Sequence, residues 1–309
     1  MALRSSAADK AYIVTGPTSG IGLCAALELA KHGTVVLVGR NPAKLESVKA
    51  RIDGGGGQAV TVVSDFSDLA SAARAAAEIT ASALPIVGLI NNAGIMPNKA
   101  GKTAAGLDLT FATNHLGPFA FTDALIPHLP DGANLAFVVS AIEDPERKPA
   151  KVMGMRGGRF ISVEASADGK WLAGGARMPG VDAYATSKQC SLAAALGLAW
   201  EIPRLHVNAI EPGINPSTGL AGTNPMVHLL GQIVMRLPPF GRYRSTPERA
   251  GRLIADVLTD RSGRTGIYYD EKGQPMTGSP LAHDPAFQDR VLAETRAFLA
   301  TERRSEPTA

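Results

Sequence analysis

The chain has 309 residues, 45% of them apolar and 19% charged, which suffices for a full hydrophobic core in one or two domains. A net charge of +3 is too weak a bias to indicate nucleic-acid binding. An uninterrupted run of about 18 apolar residues is absent, so we predict no membrane span. The polar residues 1–10, predicted as an N-terminal tail, lack the apolar segment of a signal peptide. Cys24 and Cys190 fall in apolar helical patterns without metal-ligand or disulfide spacing, so we expect a cytoplasmic protein with no metal site.

Short apolar segments rich in β-branched residues alternate with helical patterns through the first half of the chain. The predicted strands are 11–14, 34–38, 59–63, 86–90 and 134–140. The predicted helices are 23–31, 42–52, 69–83 and 107–128. This alternation predicts a Rossmann-like, doubly wound parallel sheet in a three-layer α/β/α arrangement, with ligands at the carboxyl ends of the strands.

The second half is less regular. Residues 141–182 show little periodicity and are predicted to be an insertion, and residues 214–245 are predicted to form a substrate lid with an apolar helix. The regular segments around them are a helix at 182–201, a strand at 206–210, a helix at 246–258, a strand at 266–270, and a C-terminal helix and tail at 284–309.

A glycine-rich turn joins the first predicted strand to the first helix. Gly16, Gly20 and Gly22 have the spacing G-x-x-x-G-x-G, which differs from the G-x-G-x-x-G of the common dinucleotide fingerprint. Glycines permit a sharp exit from the strand and a close backbone approach to a ligand, and the helix N-terminus presents N–H groups to an anion. Pro17 removes one donor from this turn. The neighbours that keep their N–H groups are Thr18, Ser19 and Ile21.

Tyr184 and Lys188 are four residues apart in a strong helical pattern and therefore lie on one helix face. A tyrosine is a poor acid or base at neutral pH, because its ordinary pKa is about 10. A cation one turn away favours the phenolate and lowers this pKa, so the pair can exchange a proton with an alcohol or carbonyl oxygen. Taken alone, the same spacing also fits an ordinary surface contact.

These motifs belong to an ordered set. In chain order the set is the turn 15–22, Asn91-Asn92-Ala93-Gly94, Asn114, Ser140, Tyr184-x-x-x-Lys188 and Pro212-Gly213. Over residues 11–213 it resembles the short-chain dehydrogenase/reductase family of nicotinamide-dependent oxidoreductases. The resemblance implies one Rossmann-like domain over residues 11–283 and a small-molecule substrate.

The resemblance also implies a catalytic set of four residues. Tyr184 would be the general acid in carbonyl reduction and the base in alcohol oxidation. Ser140 would hydrogen-bond the substrate oxygen, and Lys188 would lower the pKa of Tyr184 and hold the nicotinamide ribose. Asn114 would anchor a water that connects Lys188 to solvent.

The spacing of the serine and the tyrosine departs from the family pattern. Ser140 and Tyr184 are 44 residues apart, so the segment between them must loop out for the two to meet. Ser162 is a rival for the serine position. We favour Ser140, because Val138-Val139-Ser140 ends a better strand.

The end of the second strand bears on the choice of cofactor. NAD-specific folds place a carboxylate there to bind the ribose 2′-hydroxyl, whereas this chain has Gly39 and Arg40. An arginine suits a 2′-phosphate, so we predict NADP(H) rather than NAD(H).

The other cofactor contacts are implied by the resemblance. Asp65 and Phe66 would flank the adenine, residues 92–94 would line the adenosine ribose, and Ile214 would reach the nicotinamide carboxamide. The full predicted cofactor-binding set is Gly16, Thr18, Ser19, Gly20, Ile21, Gly22, Arg40, Asn41, Asp65, Phe66, Asn92, Ala93, Gly94, Tyr184, Lys188, Pro212, Gly213 and Ile214.

Several features resemble the retinol dehydrogenase and protochlorophyllide reductase branch of the family. They are Gly39-Arg40-Asn41, the run 114–119 and the long segment before Tyr184. This closer resemblance implies a bulky apolar carbonyl or alcohol substrate. The alternatives are reduction of a conjugated C=C bond and a non-catalytic NADP-binding regulator or scaffold. By family resemblance we expect a homodimer or homotetramer, in which the subunits pair through the helix at 184–200 and the long helix before it. His115 and His206 are expected to serve packing or surface roles.

Overall fold

Seven parallel strands form one central sheet, in the order β3-β2-β1-β4-β5-β6-β7. The computed structural model describes residues 10–176, 180–214 and 240–305. The strands are β1 (Ala11–Thr15), β2 (Thr34–Gly39), β3 (Ala59–Val63), β4 (Ile86–Asn91), β5 (Asn134–Val138), β6 (His206–Ile210) and β7 (Tyr268–Tyr269). The strand order reverses between β1 and β4, and in such sheets the crevice at the reversal is where ligands bind. The predicted Rossmann-like fold is confirmed.

Helices cover both faces of the sheet, which explains why the central strands are almost uninterrupted apolar runs. The helices are α1 (Gly20–Leu29), α2 (Pro42–Gly54), α3 (Leu69–Ala81), α4 (Leu109–Phe111), α5 (Gly117–Leu125), α6 (Lys148–Val152), α7 (Val163–Ala167), α8 (Val181–Glu201), α9 (Pro247–Thr259) and α10 (Pro285–Ser305). One core layer joins the sheet to α1, α2 and α9. The opposite layer joins it to α3, α5 and α8.

The single long helix predicted over 107–128 is interrupted where the site lies. A wide π-helical turn, Ala112–Leu116, separates α4 from α5. Pro118 has no N–H group, so the Asn114 carbonyl four residues earlier lacks the usual α-helical partner. That carbonyl instead accepts a hydrogen bond from the Ser191 hydroxyl at 3.2 Å. The irregular turn therefore ties Asn114 to α8, the helix that carries Tyr184 and Lys188.

Most remaining element predictions hold with shifted ends. The predicted insertion, 141–182, contains α6 and α7 and passes into α8. The last strand is shorter than expected, with only Tyr268 and Tyr269. The predicted lid falls mainly on residues 215–239, which lie outside the described residues. None of the described helices is long and apolar enough to span a bilayer.

The C-terminal helix α10 packs across the outer faces of α8 and α5. Arg296 on α10 contacts Glu201 of α8 at 2.7 Å and Asp123 of α5 at 3.1 Å. Leu292 lies against Gly197, where an added Cβ would stand 2.8 Å from the leucine methyl carbon. Residues 183–199 of α8 are all buried within this one chain. Helix α10 therefore covers part of the face that the sequence assigns to subunit pairing, while Trp200 near the end of α8 is exposed.

Candidate active site

The glycine turn has the conformation that the sequence predicts for a close backbone approach. Gly16 and Gly20 have positive φ angles of 67° and 54°, which glycine adopts without strain. A Cβ on Gly22 would lie 2.2 Å from the Gly16 carbonyl oxygen, so only glycine fits there. Helix α1 begins at Gly20 and has no acidic residue in its first turn. Its N-terminal dipole therefore faces the turn without a competing carboxylate, which suits an anionic group.

Thr15 and Asn92 join this turn to the end of β4. The Thr15 hydroxyl accepts hydrogen bonds from the N–H groups of Asn92 at 2.8 Å and Ala93 at 3.0 Å. The Asn92 amide donates to the carbonyls of Thr15 and Gly16. The side chain of Asn92 is thus occupied in holding two loops together. Thr15 is a binding-site organiser that the sequence analysis did not single out, and its signal was a hydroxyl at the end of an otherwise apolar strand.

Asn114 is buried in the π turn and faces the loop after β4. Its side-chain oxygen accepts from Ile95 N–H at 2.8 Å, and its amide donates to the Ile95 carbonyl at 2.9 Å and to the Ser187 hydroxyl at 3.1 Å. A Cβ built on Gly94 would lie 3.3 Å from the Asn114 side-chain oxygen and 3.6 Å from Lys188 Nζ. Asn114 and Lys188 therefore converge beside Gly94, which is exposed to solvent.

Tyr184 and Ser140 meet despite the 44 residues between them. The Ser140 hydroxyl interacts with the Tyr184 phenol by a hydrogen bond, which acts to lower the pKa of Tyr184. Burial outweighs this effect and raises that pKa well above its ordinary value, and the negative charge of Glu211 raises it further. The sequence-based expectation was a phenol whose pKa is lowered by the neighbouring lysine. In this structure the phenol is instead strongly held in its protonated form.

Lys188 is buried one helical turn beyond Tyr184. Its Nζ donates to the Val138 carbonyl at 2.8 Å and lies 5.7 Å from the centre of the Tyr184 ring. Burial lowers the pKa of Lys188 to about 8, against the opposing effect of Glu211. The lysine is thus a cation at neutral pH, held at the carboxyl end of β5 beside the tyrosine.

Ser162, the rival serine, has a different task. Its hydroxyl accepts a hydrogen bond from Ala165 N–H at 3.0 Å and so caps the N-terminus of α7. His115 is also a packing residue: burial lowers its pKa to about 3, and its ring bonds the Thr295 hydroxyl of α10 at 3.0 Å. Neither side chain takes part in the Ser140–Tyr184–Lys188 arrangement.

The end of β2 presents an unpaired cation. Arg40 is exposed and forms no ion pair with any residue in the described ranges. Asn41 next to it caps α2, because its side-chain oxygen accepts from Lys44 N–H at 3.0 Å. Gly39 could carry a side chain without a clash at its Cβ, since an added Cβ would come no closer than 3.4 Å to Leu45. The guanidinium is therefore available to an anionic ligand, whereas the Asn41 side chain is already engaged.

Asp65 and Phe66 follow β3 at the same edge of the sheet. One oxygen of Asp65 accepts from the N–H and hydroxyl of Ser67 at 2.9 and 2.7 Å. Phe66 is 4% exposed and packs edge-on against Phe121, with ring centres 5.5 Å apart. The phenyl ring thus belongs to the core, and only the backbone at this position remains to flank an adenine.

The segment after β6 is shaped by Gly213 and a buried carboxylate. Gly213 has a φ of 77° and donates to Glu211 Oε1 at 3.1 Å. Ile214 donates to the Tyr243 carbonyl at 2.8 Å and accepts from Ser245 N–H at 3.1 Å. Both main-chain groups of Ile214 are therefore engaged, which leaves its side chain as the part that could meet a nicotinamide. Glu211 itself was missed at the sequence level, although an acid that directly follows an apolar strand was a visible signal.

One cavity of about 290 Å³ lies between the loop after β4, the insertion and the start of α8. Its charged lining residues are Lys102, Asp108, Asp168 and Asp182. Its lining contains none of Ser140, Tyr184 and Lys188, so it is separate from the candidate catalytic residues. The predicted substrate lid lies mainly outside the described residues.

The tight contact at Gly22 gives a direct test of the glycine turn. We expect Gly22→Ala to lower the free energy of unfolding by about 1–3 kcal/mol through overpacking, and to weaken NADPH binding. Gly54→Ala is the matched control, because a Cβ at the end of α2 meets nothing within 4 Å. Denaturant unfolding with and without NADPH measures both effects. Equal stability and equal NADPH affinity in the two variants would contradict the assignment of this turn.

Comparison with known proteins places this geometry in a family. Residues 10–146 match the family profile described as short chain dehydrogenase. The bovine (Bos taurus) dehydrogenase/reductase SDR family member 12 is 28% identical over 292 residues, covering 92% of this chain and 84% of that protein. Human retinol dehydrogenase 13 is 27% identical over 309 residues, covering 95% of this chain and 85% of that protein.

Solved structures show the same fold. A short chain dehydrogenase from Burkholderia cenocepacia J2315, solved in complex with NADP, superposes with a TM-score of 0.63. The match covers 87% of this chain and 98% of that one at 21% sequence identity. At this identity the likeness carries the fold, and the chemistry has to be argued from the residues described above.

Proposed function

We propose that this chain, a member of the short-chain dehydrogenase/reductase family in its retinol dehydrogenase-like branch, is an NADP(H)-dependent oxidoreductase acting on a carbonyl or alcohol. The observation that carries the proposal is the meeting of Ser140 with Tyr184 beside the buried Lys188. A protein that only bound a nucleotide would need no such arrangement of a phenol, a hydroxyl and a buried cation.

Each residue has a role that follows from its chemistry. The nicotinamide, when bound, supplies or accepts the hydride. Tyr184 holds the proton that the substrate oxygen takes up during reduction. Ser140 orients that oxygen by a hydrogen bond, and Lys188 provides positive charge beside the phenol as negative charge develops on it. Asn114 joins the π turn to α8 through Ser187 and the loop after β4, and so keeps this group in place.

The protonation of Tyr184 supports the reductive direction. Burial and the charge of Glu211 raise the pKa of Tyr184, so at neutral pH the phenol carries its proton. A protonated phenol is ready to act as an acid toward a carbonyl oxygen, whereas alcohol oxidation needs the phenolate. We propose carbonyl reduction as the reaction, in which the phenol proton passes to the substrate oxygen.

Arg40 supports NADP(H) as the cofactor. Its exposed guanidinium stands at the end of β2, where a carboxylate would favour NAD(H), and a guanidinium binds phosphate through several donors at once. The glycine turn and the N-terminus of α1 would hold the pyrophosphate, and Lys188 would hold the nicotinamide ribose. The similar structure from Burkholderia cenocepacia contains NADP, which agrees with this assignment.

We propose a bulky apolar substrate of the kind that the name of retinol dehydrogenase 13 implies for that relative. The test is a panel of apolar ketones, aldehydes, quinones and enones with NADPH, followed by product analysis. Alcohol products support the proposal. Saturated ketones from the enones would replace it with reduction of a conjugated C=C bond. NADPH binding without turnover on any compound would favour the regulator or scaffold.

We infer that the chain is a monomer, in place of the homodimer or homotetramer expected from the sequence. The reason is that α10 covers α8, as the contacts of Arg296 and Leu292 show. Light scattering coupled to size exclusion should give the mass of one chain at micromolar concentration. A mass of two or four chains would contradict this inference.

The two cysteines support a cytoplasmic location. Cys24 and Cys190 are both free thiols. Burial raises the pKa of each thiol, so neither is primed for disulfide exchange. Free, unreactive thiols suit the reducing compartment that we propose for this enzyme.

A further inference from the structure

Glu211 is a buried carboxylate that touches both sides of the candidate site. It follows β6 directly and is 7% exposed. One carboxylate oxygen accepts a hydrogen bond from the N–H of Ala141, the residue after Ser140. The other accepts from Gly213 N–H at 3.1 Å. A single side chain thus fixes the loop that carries Ser140 to the turn after β6.

The same carboxylate is the charged group that acts on the reactive pair. Burial lowers the pKa of Lys188, and the charge of Glu211 acts in the opposite direction and raises it. For Tyr184, burial and the charge of Glu211 both raise the pKa. A buried cation is costly unless an opposite charge lies near it. When ionised, Glu211 acts on Lys188 by its charge from the end of β6, without a direct ion pair between the two among the described residues. Lys188 itself donates a hydrogen bond to the Val138 carbonyl.

Other titratable groups lie around Glu211. They have different interaction partners, so they do not share the role of Glu211 at Ser140 and Lys188. The groups that pack around it from the insertion and from β7 are Arg147, Glu143, Glu271 and Tyr268. Arg147 pairs with Glu271 at 3.8 Å and stacks on the Tyr243 ring. Glu143 lies on the loop after Ser140 itself, but its carboxylate accepts from Ser279, whereas the Glu211 carboxylate accepts from Ala141 N–H on that loop.

We propose that Glu211 is a positioning residue of this site, which sets the loop after Ser140 by hydrogen bonds and balances the charge of Lys188 beside Tyr184. The effect of Glu211 on catalysis rests on the proposed function. Its two physical parts, the hydrogen bonds and the charge, exist in the protein without cofactor. They are therefore open to a test that does not depend on turnover.

Glu143 offers a matched control. It is fully buried like Glu211, and burial raises the pKa of both carboxyl groups to about 7. Its oxygens accept from the Ser279 N–H at 2.8 Å and from the Ser279 hydroxyl. Glu143→Gln and Glu211→Gln therefore remove the same charge and disturb the same number of hydrogen bonds. Of the two carboxylates, Glu211 is the one whose charge acts on Lys188 and Tyr184.

The decisive measurement is the pH titration of Lys188, monitored by NMR in lysine-labelled protein without cofactor. The Lys188→Arg variant identifies the NMR signal of Lys188. In Glu211→Gln the ammonium loses its balancing charge, so the pKa of Lys188 should fall by about one unit. Glu143→Gln should leave that titration within about 0.3 unit of the parent protein. An unchanged titration in Glu211→Gln, or an equal shift in both variants, overturns the proposal.

Kinetics add the consequence for catalysis. In Glu211→Gln we expect kcat for NADPH-dependent reduction to fall about tenfold, and the pH profile to move toward lower pH because the phenolate is no longer repelled. If Glu211→Gln fails to fold, Glu211→Asp replaces it. This variant keeps the charge, so the pKa of Lys188 should stay close to its value in the parent protein. If the parent protein neither binds nor oxidises NADPH, the proposed function fails, while the NMR result still decides the role of Glu211.

Discussion

Tyr184→Phe should reduce the rate of NADPH-dependent carbonyl reduction by about a thousandfold, since it removes the proton donor and keeps the ring. The phenol is buried, interacts with Ser140 and carries its proton at neutral pH. NADPH affinity should change little, because Lys188 and the glycine turn are untouched. Steady-state kinetics and NADPH fluorescence titration measure the two quantities separately.

Tyr268→Phe is the matched control for this result. Tyr268 is another buried tyrosine, on β7, and its hydroxyl has no hydrogen-bond partner within the described part of the chain. Removing that hydroxyl should therefore leave kcat within about twofold of the parent value. Comparable losses in both variants would point to general damage of the fold, and full activity in Tyr184→Phe would remove Tyr184 from the mechanism.

Gly39→Asp combined with Arg40→Ile should reverse the cofactor preference. Loss of the guanidinium removes charge-assisted hydrogen bonds to the 2′-phosphate, and the new carboxylate repels that phosphate while accepting a bond from a 2′-hydroxyl. Together we expect the ratio of kcat/KM for NADPH over NADH to fall by about a thousandfold. The backbone at Gly39 admits the change, because a Cβ there makes only ordinary contacts with Leu45 and Pro17.

A single variant at Arg40 and a control variant at a distant arginine complete the experiment on cofactor preference. Arg40→Ile alone should weaken NADPH about tenfold to a hundredfold and leave NADH nearly unchanged. Arg51→Gln, at an exposed arginine on α2 away from the end of β2, should alter neither cofactor. A preference ratio that stays constant in the double variant would refute the role of Arg40.

Local patterns were sufficient for the sheet and for most of its helices. The apolar runs of β1, β2 and β4 are buried because helices cover both faces, so β-branched composition identified them directly. The break in the helix around Asn114 was harder to foresee. It depends on Pro118 and on a hydroxyl from α8, and the second of these is a tertiary contact that no local pattern contains.

The same limit explains the mixed outcome for the site residues. The choice of Tyr184, Lys188 and Ser140 came from the ordered set of motifs that resembles the family, because the spacing of Tyr184 and Lys188 alone also fits a surface contact. Phe66 has the right position in sequence, but its ring turns into the core against Phe121. The pKa of Tyr184 also depends on burial and on Glu211, which come from packing and from a strand far away in sequence.

Deuterium transfer from the cofactor to a product is the decisive experiment on hydride transfer by this protein. The purified protein would be given NADPH deuterated at the reactive nicotinamide carbon, together with the best ketone or aldehyde from the panel. We predict an alcohol that carries deuterium on the former carbonyl carbon, with its hydroxyl proton exchanged with solvent. Tight NADPH binding with no deuterium in any product, across the whole panel, would contradict it.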